Sequence, residues 1–179
     1  MKDIYDVLIR GTAIKIFPTI DWRIIKCQVN QESGFDPKAV SPCGARGLLQ
    51  LMPSTAADLC VYDPDLLFIP QTNLDTGIQY LKDQFNHFQE IPIYDERIKF
   101  ALASYNGGRG YINKALSIAK KDIHSWMFWE PTSKYLSHLN CEVHGKHPDH
   151  KQITDYVKRI WDNYTVLRQA QDEVEKEKE

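Results

Sequence analysis

The chain has 179 residues, 42% of them apolar and 26% charged, with a formal net charge of −2 at pH 7. This is the composition of a globular chain of one-domain size, without the basic bias of a nucleic-acid binder. No uninterrupted apolar run reaches the roughly 20 residues of a membrane span. The opening MKDIYDVLIRGTAIKIFP carries charges throughout and has no apolar core or cleavage site, so no signal peptide is expected.

In chain order, residues 3–16 form a first helix that stops before Pro18. Asp21 N-caps a second helix, with Ile24, Ile25 and Val29 on its apolar side and Gly34 just past its end. A loop, SGFDPKAVSPCGARG, then runs to a short third helix that begins near Pro53. Leu74, Ile78, Leu81, Phe85 and Phe88 are spaced alternately by four and three, which predicts an amphipathic helix, with Asp75 opening it as a first-turn acid. Ile98, Leu102 and Tyr105 continue that spacing on the next helix, which ends at Gly107-Gly108, and another helix covers 109–120. Tyr156, Ile160, Tyr164 and Leu167 form a stripe on a last helix, flanked by Val157 and Trp161. The end, QAQDEVEKEKE, reads as a charged tail extending that helix, residues 169–179. No stretch alternates as a strand does, so the expected class is mostly α, a single domain over residues 1–168.

Cys27, Cys43, Cys60 and Cys141 are widely spaced and contain no CxxC pair, so free thiols are the first reading and a Cys43–Cys60 bridge the second. Two segments are not explained by helix packing: the loop after the second helix, and the polar HLNCEVHGKHPDH.

Glu32 lies where the second helix runs out. A carboxylate there is either a tolerated solvated residue or an acid. The negative end of the helix dipole and partial burial both disfavour its charge, which suits a general acid. Gln50 is polar within an apolar run of Leu48, Leu49 and Leu51, which points to function. Asn106 stands at a helix end before two glycines.

Glu32-Ser33, then GLLQLMP from Gly47 to Pro53, then ASYNGG from Ala103 to Gly108 occur in that order, with PQTNLDTGIQYLKDQF between the second and third and TDYVKRI after them. Together they resemble the catalytic domain of the soluble lytic transglycosylases, which share a lysozyme-like fold with goose-type lysozymes. The resemblance covers about residues 20–168. It implies cleavage of the β-1,4 bond between N-acetylmuramic acid and N-acetylglucosamine in peptidoglycan glycan strands, with no cofactor and no metal. Glu32 aligns with the family's catalytic acid. By the same resemblance Gln50 would hydrogen-bond substrate, Met52 would pack on a sugar face, Tyr105 and Asn106 would lie near the reacting sugar, Tyr156 would face the cleft, and Ser33 would support the loop of Glu32. Met52, Tyr105 and Tyr156 also suit plain helix packing.

The chain departs from the family pattern at Leu49, where methionine is usual, and near Gln152 and Ile153, where a glutamate often precedes the threonine. Residues 118–150 exceed a minimal domain, and Trp126, Phe128 and Trp129 there either line a sugar subsite or anchor the loop. The rival readings are a goose-type-lysozyme-like hydrolase, a non-catalytic glycan-binding or virion structural module, and a zinc-dependent hydrolase. A monomer acting on the cell wall from the periplasm or the exterior is expected, as a phage-encoded endolysin or virion-associated lysis protein, or as a bacterial protein exported by an unusual route.

His138, Cys141, His144, His147 and His150 recur every three residues without zinc-finger spacing, and Gly145 and Pro148 interrupt them, so the reading is a polar loop that is rich in histidine. Cell-wall clearing should therefore survive EDTA. Stoichiometric zinc in untagged protein, with loss of far-UV ellipticity in chelator, would overturn this.

Overall fold

The computed structural model describes residues 3–139 and 149–176. Its described residues carry helices α1 (Asp6–Ile16), α2 (Trp22–Ser33), α3 (Pro53–Asp58), α4 (Pro70–His87), α5 (Tyr94–Gly107), α6 (Arg109–Asp122), α7 (Trp129–Ser133) and α8 (His150–Lys176). Two 3-10 helices, Pro64–Phe68 and Lys134–His138, complete the regular structure. Strand structure among the described residues is limited to isolated bridges from Arg46 to Val40 and to Leu51. The mostly α class expected from the sequence is the class observed. No described helix is long and apolar enough to cross a membrane.

Two compact units divide the chain, Met1–Tyr80 together with Arg159–Glu179, and Leu81–Lys158. In the first unit, α2 begins at Asp21, whose carboxylate accepts from Arg23 N at 3.0 Å and so takes up one of the free first-turn amides. Arg23 Nε also reaches both carboxylate oxygens, at 2.8 and 2.9 Å, and the Tyr164 hydroxyl of α8 donates to the same group at 3.2 Å. Burial pushes the Asp21 carboxyl up, but hydrogen bonds and charge from Arg23 outweigh it and hold the group below its ordinary 3.8. The stability Asp21 contributes is therefore present above pH 3.8 and is lost as the pH falls through the lower folded-state value. At its other end α2 stops at Gly34, whose φ of 59° is the left-handed conformation that glycine adopts without strain.

Helix α1 buries Ile9 and Ala13. Its start is held by Lys26 of α2, whose buried ammonium bonds Asp3 Oδ1 at 2.5 Å and Asp6 Oδ2 at 2.8 Å. Burial lowers the Lys26 pKa, and the two carboxylates more than offset it, leaving the lysine above its ordinary value. Ile24, Ile25, Val29, Leu48, Leu49, Leu51, Leu67, Leu74 and Ile78 are almost fully buried in this unit.

The second unit is built around aromatic contacts. Phe100 lies 5.6 Å from Phe88 and meets Trp129 edge-on at 5.3 Å between centroids, a geometry favoured by the ring quadrupoles. Glu96 in the first turn of α5 accepts from Trp129 N at 2.7 Å and from Lys99 Nζ at 2.7 Å, so it caps α7 from a different element. Of Trp126, Phe128 and Trp129, the structure makes Trp129 an anchor, whereas Phe128 is exposed.

Several boundaries differ from the sequence reading. Helix α4 starts at Pro70, so Asp75 sits in its second turn and is not a first-turn acid; its carboxylate instead accepts from Gln71 Nε2 at 2.9 Å. Helix α8 runs on into the charged tail, read as an extension of that helix, to Lys176. Helix α7 and both 3-10 helices were not foreseen. Cys141, His144 and His147 lie outside the described residues.

The described cysteines are free, with Cys43 and Cys60 exposed and Cys27 buried. Burial pushes the Cys27 thiol up to about 12, and a protonated, inaccessible thiol is a poor nucleophile. Brief alkylation of native protein at pH 8, mapped by peptide mass spectrometry, should modify Cys43 and Cys60 and leave Cys27 untouched until the protein is unfolded.

Candidate active site

Glu32 occupies the last turn of α2 and is half-buried. Beyond Gly34 the chain turns back at Phe35, a buried non-glycine with φ 68°. Asp36 forms the next turn: its amide donates to Ser33 O at 3.1 Å, and its Oδ1 accepts from Lys38 N at 2.8 Å. This is the turn-forming role expected of Asp before Pro37.

The glycine-rich loop is bonded throughout. Ser41 N donates to Ala45 O and Gly47 N to Ala39 O, both at 2.9 Å, while Arg46 and Leu51 exchange backbone bonds at 2.9 and 3.1 Å. Between Arg46 and Leu51 the chain makes a tight turn with φ of 74° at Gly47 and 46° at Gln50. The second value is uncommon for a non-glycine residue. Gln50 is held in it by its own side chain, because Nε2 donates to Gly47 O at 2.9 Å and to Ala39 O at 3.1 Å. The side-chain nitrogen of Gln50 is thus committed to the loop.

Ser33 connects this turn to the Glu32 helix end. Its hydroxyl lies 2.9 Å from Leu48 O and 3.2 Å from Val29 O, so one proton can serve the turn or the preceding helical turn. Met52 follows at the N-cap of α3, with 38% of its surface exposed, so it is not simply core. Glu32, Ser33, Gln50 and Met52 all belong to the first unit.

The other three candidates belong to the second unit. Tyr105 and Asn106 lie in the last turn of α5, before Gly108, whose φ of 88° ends the helix. Both are half-buried. The Asn106 Oδ1 atom is sequestered with no protein donor among the described residues, a costly placement for a carbonyl oxygen. Gly107 packs against Ile153 so closely that a Cβ there would lie 2.3 Å from Ile153 Cδ1. Ile153 of α8 therefore takes a packing role. Tyr156, 4% exposed, is buried with Ile153 and Val157. No group of three or more histidine, cysteine or acidic side chains capable of holding a metal occurs among the described residues.

Asn73 was missed from the sequence. It is fully buried on α4 and bonds the backbone of the Gly47–Gln50 turn. The only hint was an amide within an amphipathic helix, and such a residue reads as solvated.

The described residues thus form an all-helical fold with a carboxylic acid at a helix end, buttressed by a glycine-hinged Gln turn. Residues 15–127 match the family described as the transglycosylase SLT domain, and the chain belongs to it. It is similar to the membrane-bound lytic murein transglycosylase F of Desulfosudis oleivorans, 34% identical over 154 residues, which cover 83% of this chain and 33% of that protein. The protein of the same name from Shewanella loihica is 30% identical over 177 residues, covering 92% of this chain and 37% of its own length. The chain thus spans about a third of the length of these relatives. The fold is also that of the 70 kDa soluble lytic transglycosylase SLT70 of Escherichia coli, with a TM-score of 0.72 and 24% identity over 95% of this chain and 25% of that one.

The turn's geometry makes Gly47 irreplaceable. An alanine Cβ would lie 2.2 Å from Leu67 O and 2.3 Å from Asn73 Nδ2, at a φ of 74°. Gly47→Ala should lower stability by more than about 2 kcal/mol in urea unfolding, whereas Gly44→Ala, with nothing near its Cβ, should bear only the smaller cost of its positive φ.

Proposed function

We propose that this chain is the glycan-cleaving part of a peptidoglycan lytic transglycosylase. Residues 1–168 act as one catalytic domain, and 169–179 are a charged extension. The observation that carries the reading is the Glu32-Ser33 helix end bonded to the Gln50 turn, in a chain that belongs to the SLT family. The bond cleaved is the β-1,4 link between N-acetylmuramic acid and N-acetylglucosamine. The place of action is the cell wall, with delivery as an endolysin or virion-associated lysis protein as the finer reading and a monomer as the working state. Among the solved relatives of the fold, the 70 kDa enzyme has been seen in complex with bulgecin A.

In the proposed reaction Glu32 begins protonated and gives its proton to the glycosidic oxygen as the bond to C1 breaks. The resulting carboxylate then takes the proton of the muramic C6 hydroxyl while that oxygen bonds to C1. The anhydro ring closes without water, and Glu32 regains its proton. A hydrolase would need a second carboxylate, about 5 Å away as a nucleophile or about 6.5–9.5 Å away as a base. Asp36, the nearest acid in sequence, is exposed and turned to Lys38 N. With one acid, the substrate's own hydroxyl is the economical nucleophile, already held at high effective concentration. Gln50, Met52, Tyr105, Asn106 and Tyr156 are assigned to substrate binding by the family resemblance, with the carbonyl oxygen of Gln50 as the atom its loop bonds leave for that role.

Folded Glu32→Gln should lose at least about a hundredfold in turnover of purified sacculi, and Asp36→Asn should lose little. Mass spectrometry in oxygen-18 water should show anhydro-muropeptides without label. Reducing ends carrying solvent oxygen at C1 would replace the lyase by a lysozyme-like hydrolase, and a fully active Glu32→Gln would remove Glu32 from the reaction.

A further inference from the structure

Asn73 lies in the PQTNLDTGIQYLKDQF segment, apart in sequence from the candidate site residues, and is fully buried. Its carboxamide is used from both ends. Oδ1 accepts from Leu49 N at 2.8 Å, and Nδ2 donates to Arg46 O and to Leu67 O, each at 2.9 Å. Its two donors and its acceptor are thereby all engaged with backbone. Two of the three backbone groups, Arg46 O and Leu49 N, belong to the Arg46–Leu51 turn, and the third belongs to the 3-10 helix Pro64–Phe68. The missing side chain at Gly47 leaves the space through which Asn73 makes these bonds. Leu48 lies between the two bonded positions, and its carbonyl receives the Ser33 hydroxyl. A continuous hydrogen-bonded path therefore runs from α4 through the turn to the residue beside Glu32.

We propose that Asn73 is a positioning residue for the reaction: it locks the Arg46–Leu51 turn so that the Leu48 carbonyl, through Ser33, fixes the end of α2 that carries Glu32. This rests on Glu32 being the acid. The physical basis is that α2 ends at Ser33, where a helix is otherwise free to fray. A rigid carbonyl on a neighbouring turn pins that end, and Leu48 O is rigid only while its flanking groups are held. Small displacements of an acid from the scissile oxygen are costly in rate, so the effect of losing Asn73 falls on kcat more than on KM.

The test is a double-mutant cycle on soluble glycan strands, with Asn73→Ala, Ser33→Ala and the double variant, beside Glu32→Gln as reference. Circular dichroism and thermal melting establish first that each variant is folded at the assay temperature. Asn73→Ala should lose about 10–100-fold and Ser33→Ala about tenfold in kcat, with KM changed by less than about threefold. The double variant should be close to Asn73→Ala alone, because both act through Leu48 O. Losses that multiply, losses confined to KM, or wild-type kcat in folded Asn73→Ala would each overturn the inference. If Asn73→Ala does not fold, Asn73→Asp, which keeps the acceptor for Leu49 N, and Ser33→Ala decide: a kcat loss with KM unchanged supports the path, and unchanged kcat ends it. An inactive Glu32→Gln together with multiplying losses sinks the positioning role and leaves the lyase reading standing. A fully active Glu32→Gln removes both.

Discussion

Everything around Glu32 in the first unit depends on how one buried carboxamide, that of Asn73, satisfies backbone groups that would otherwise be stranded. The turn from Arg46 to Leu51 carries Leu48, Leu49 and Leu51, all buried, so its polar backbone is drawn out of water along with them. An unpaired amide or carbonyl in that setting costs about 1–3 kcal/mol. Asn73 meets Leu49 N and Arg46 O, Gln50 meets Gly47 O, and Ser33 meets Leu48 O. The hydrophobic side chains pull the turn inward, and the amides and the hydroxyl make its burial tolerable.

The same economy explains the unusual backbone. Positive φ at Gly47 is cheap, and at Gln50 it is offset by two side-chain bonds into the loop. A well-anchored, mildly strained turn is a stiff support for the helix end that carries Glu32. The second unit solves a similar problem with other materials. Glu96 caps α7 across the fold, Phe100 ties Phe88 to Trp129, and Gly107 lets α5 and α8 meet without a side chain between them.

Local signals in the chain made much of this legible. Asp21 and Gly34 bound α2 because capping chemistry is a property of neighbouring residues, and the alternating fours and threes of α4 and α5 are visible in any window long enough to hold them. The Glu32-Ser33, Gly-Leu-Leu-Gln and Ser-Tyr-Asn-Gly motifs were enough to indicate the family, because their order along the chain is itself information. Short elements were not legible: α7 and the two 3-10 helices are too brief for a period to emerge, and α7 depends on an acid 33 residues away.

The sequence alone therefore determined the helical class, the main helix ends, the family and the candidate acid, since each rests on residues a few positions apart or on ordered motifs. Only the tertiary structure decided what the polar residues of those motifs are turned toward. Gln50 reads as a ligand-facing amide and proves to have its nitrogen in the loop. Asn73 stands unremarked in a segment read only as a helix and proves to hold the turn. Asp75 reads as a helix-start acid and proves to sit one turn further in. The physical reason is common to all three: a hydrogen bond to distant backbone leaves no trace in residue type or period, and its partner is fixed only when the chain has folded.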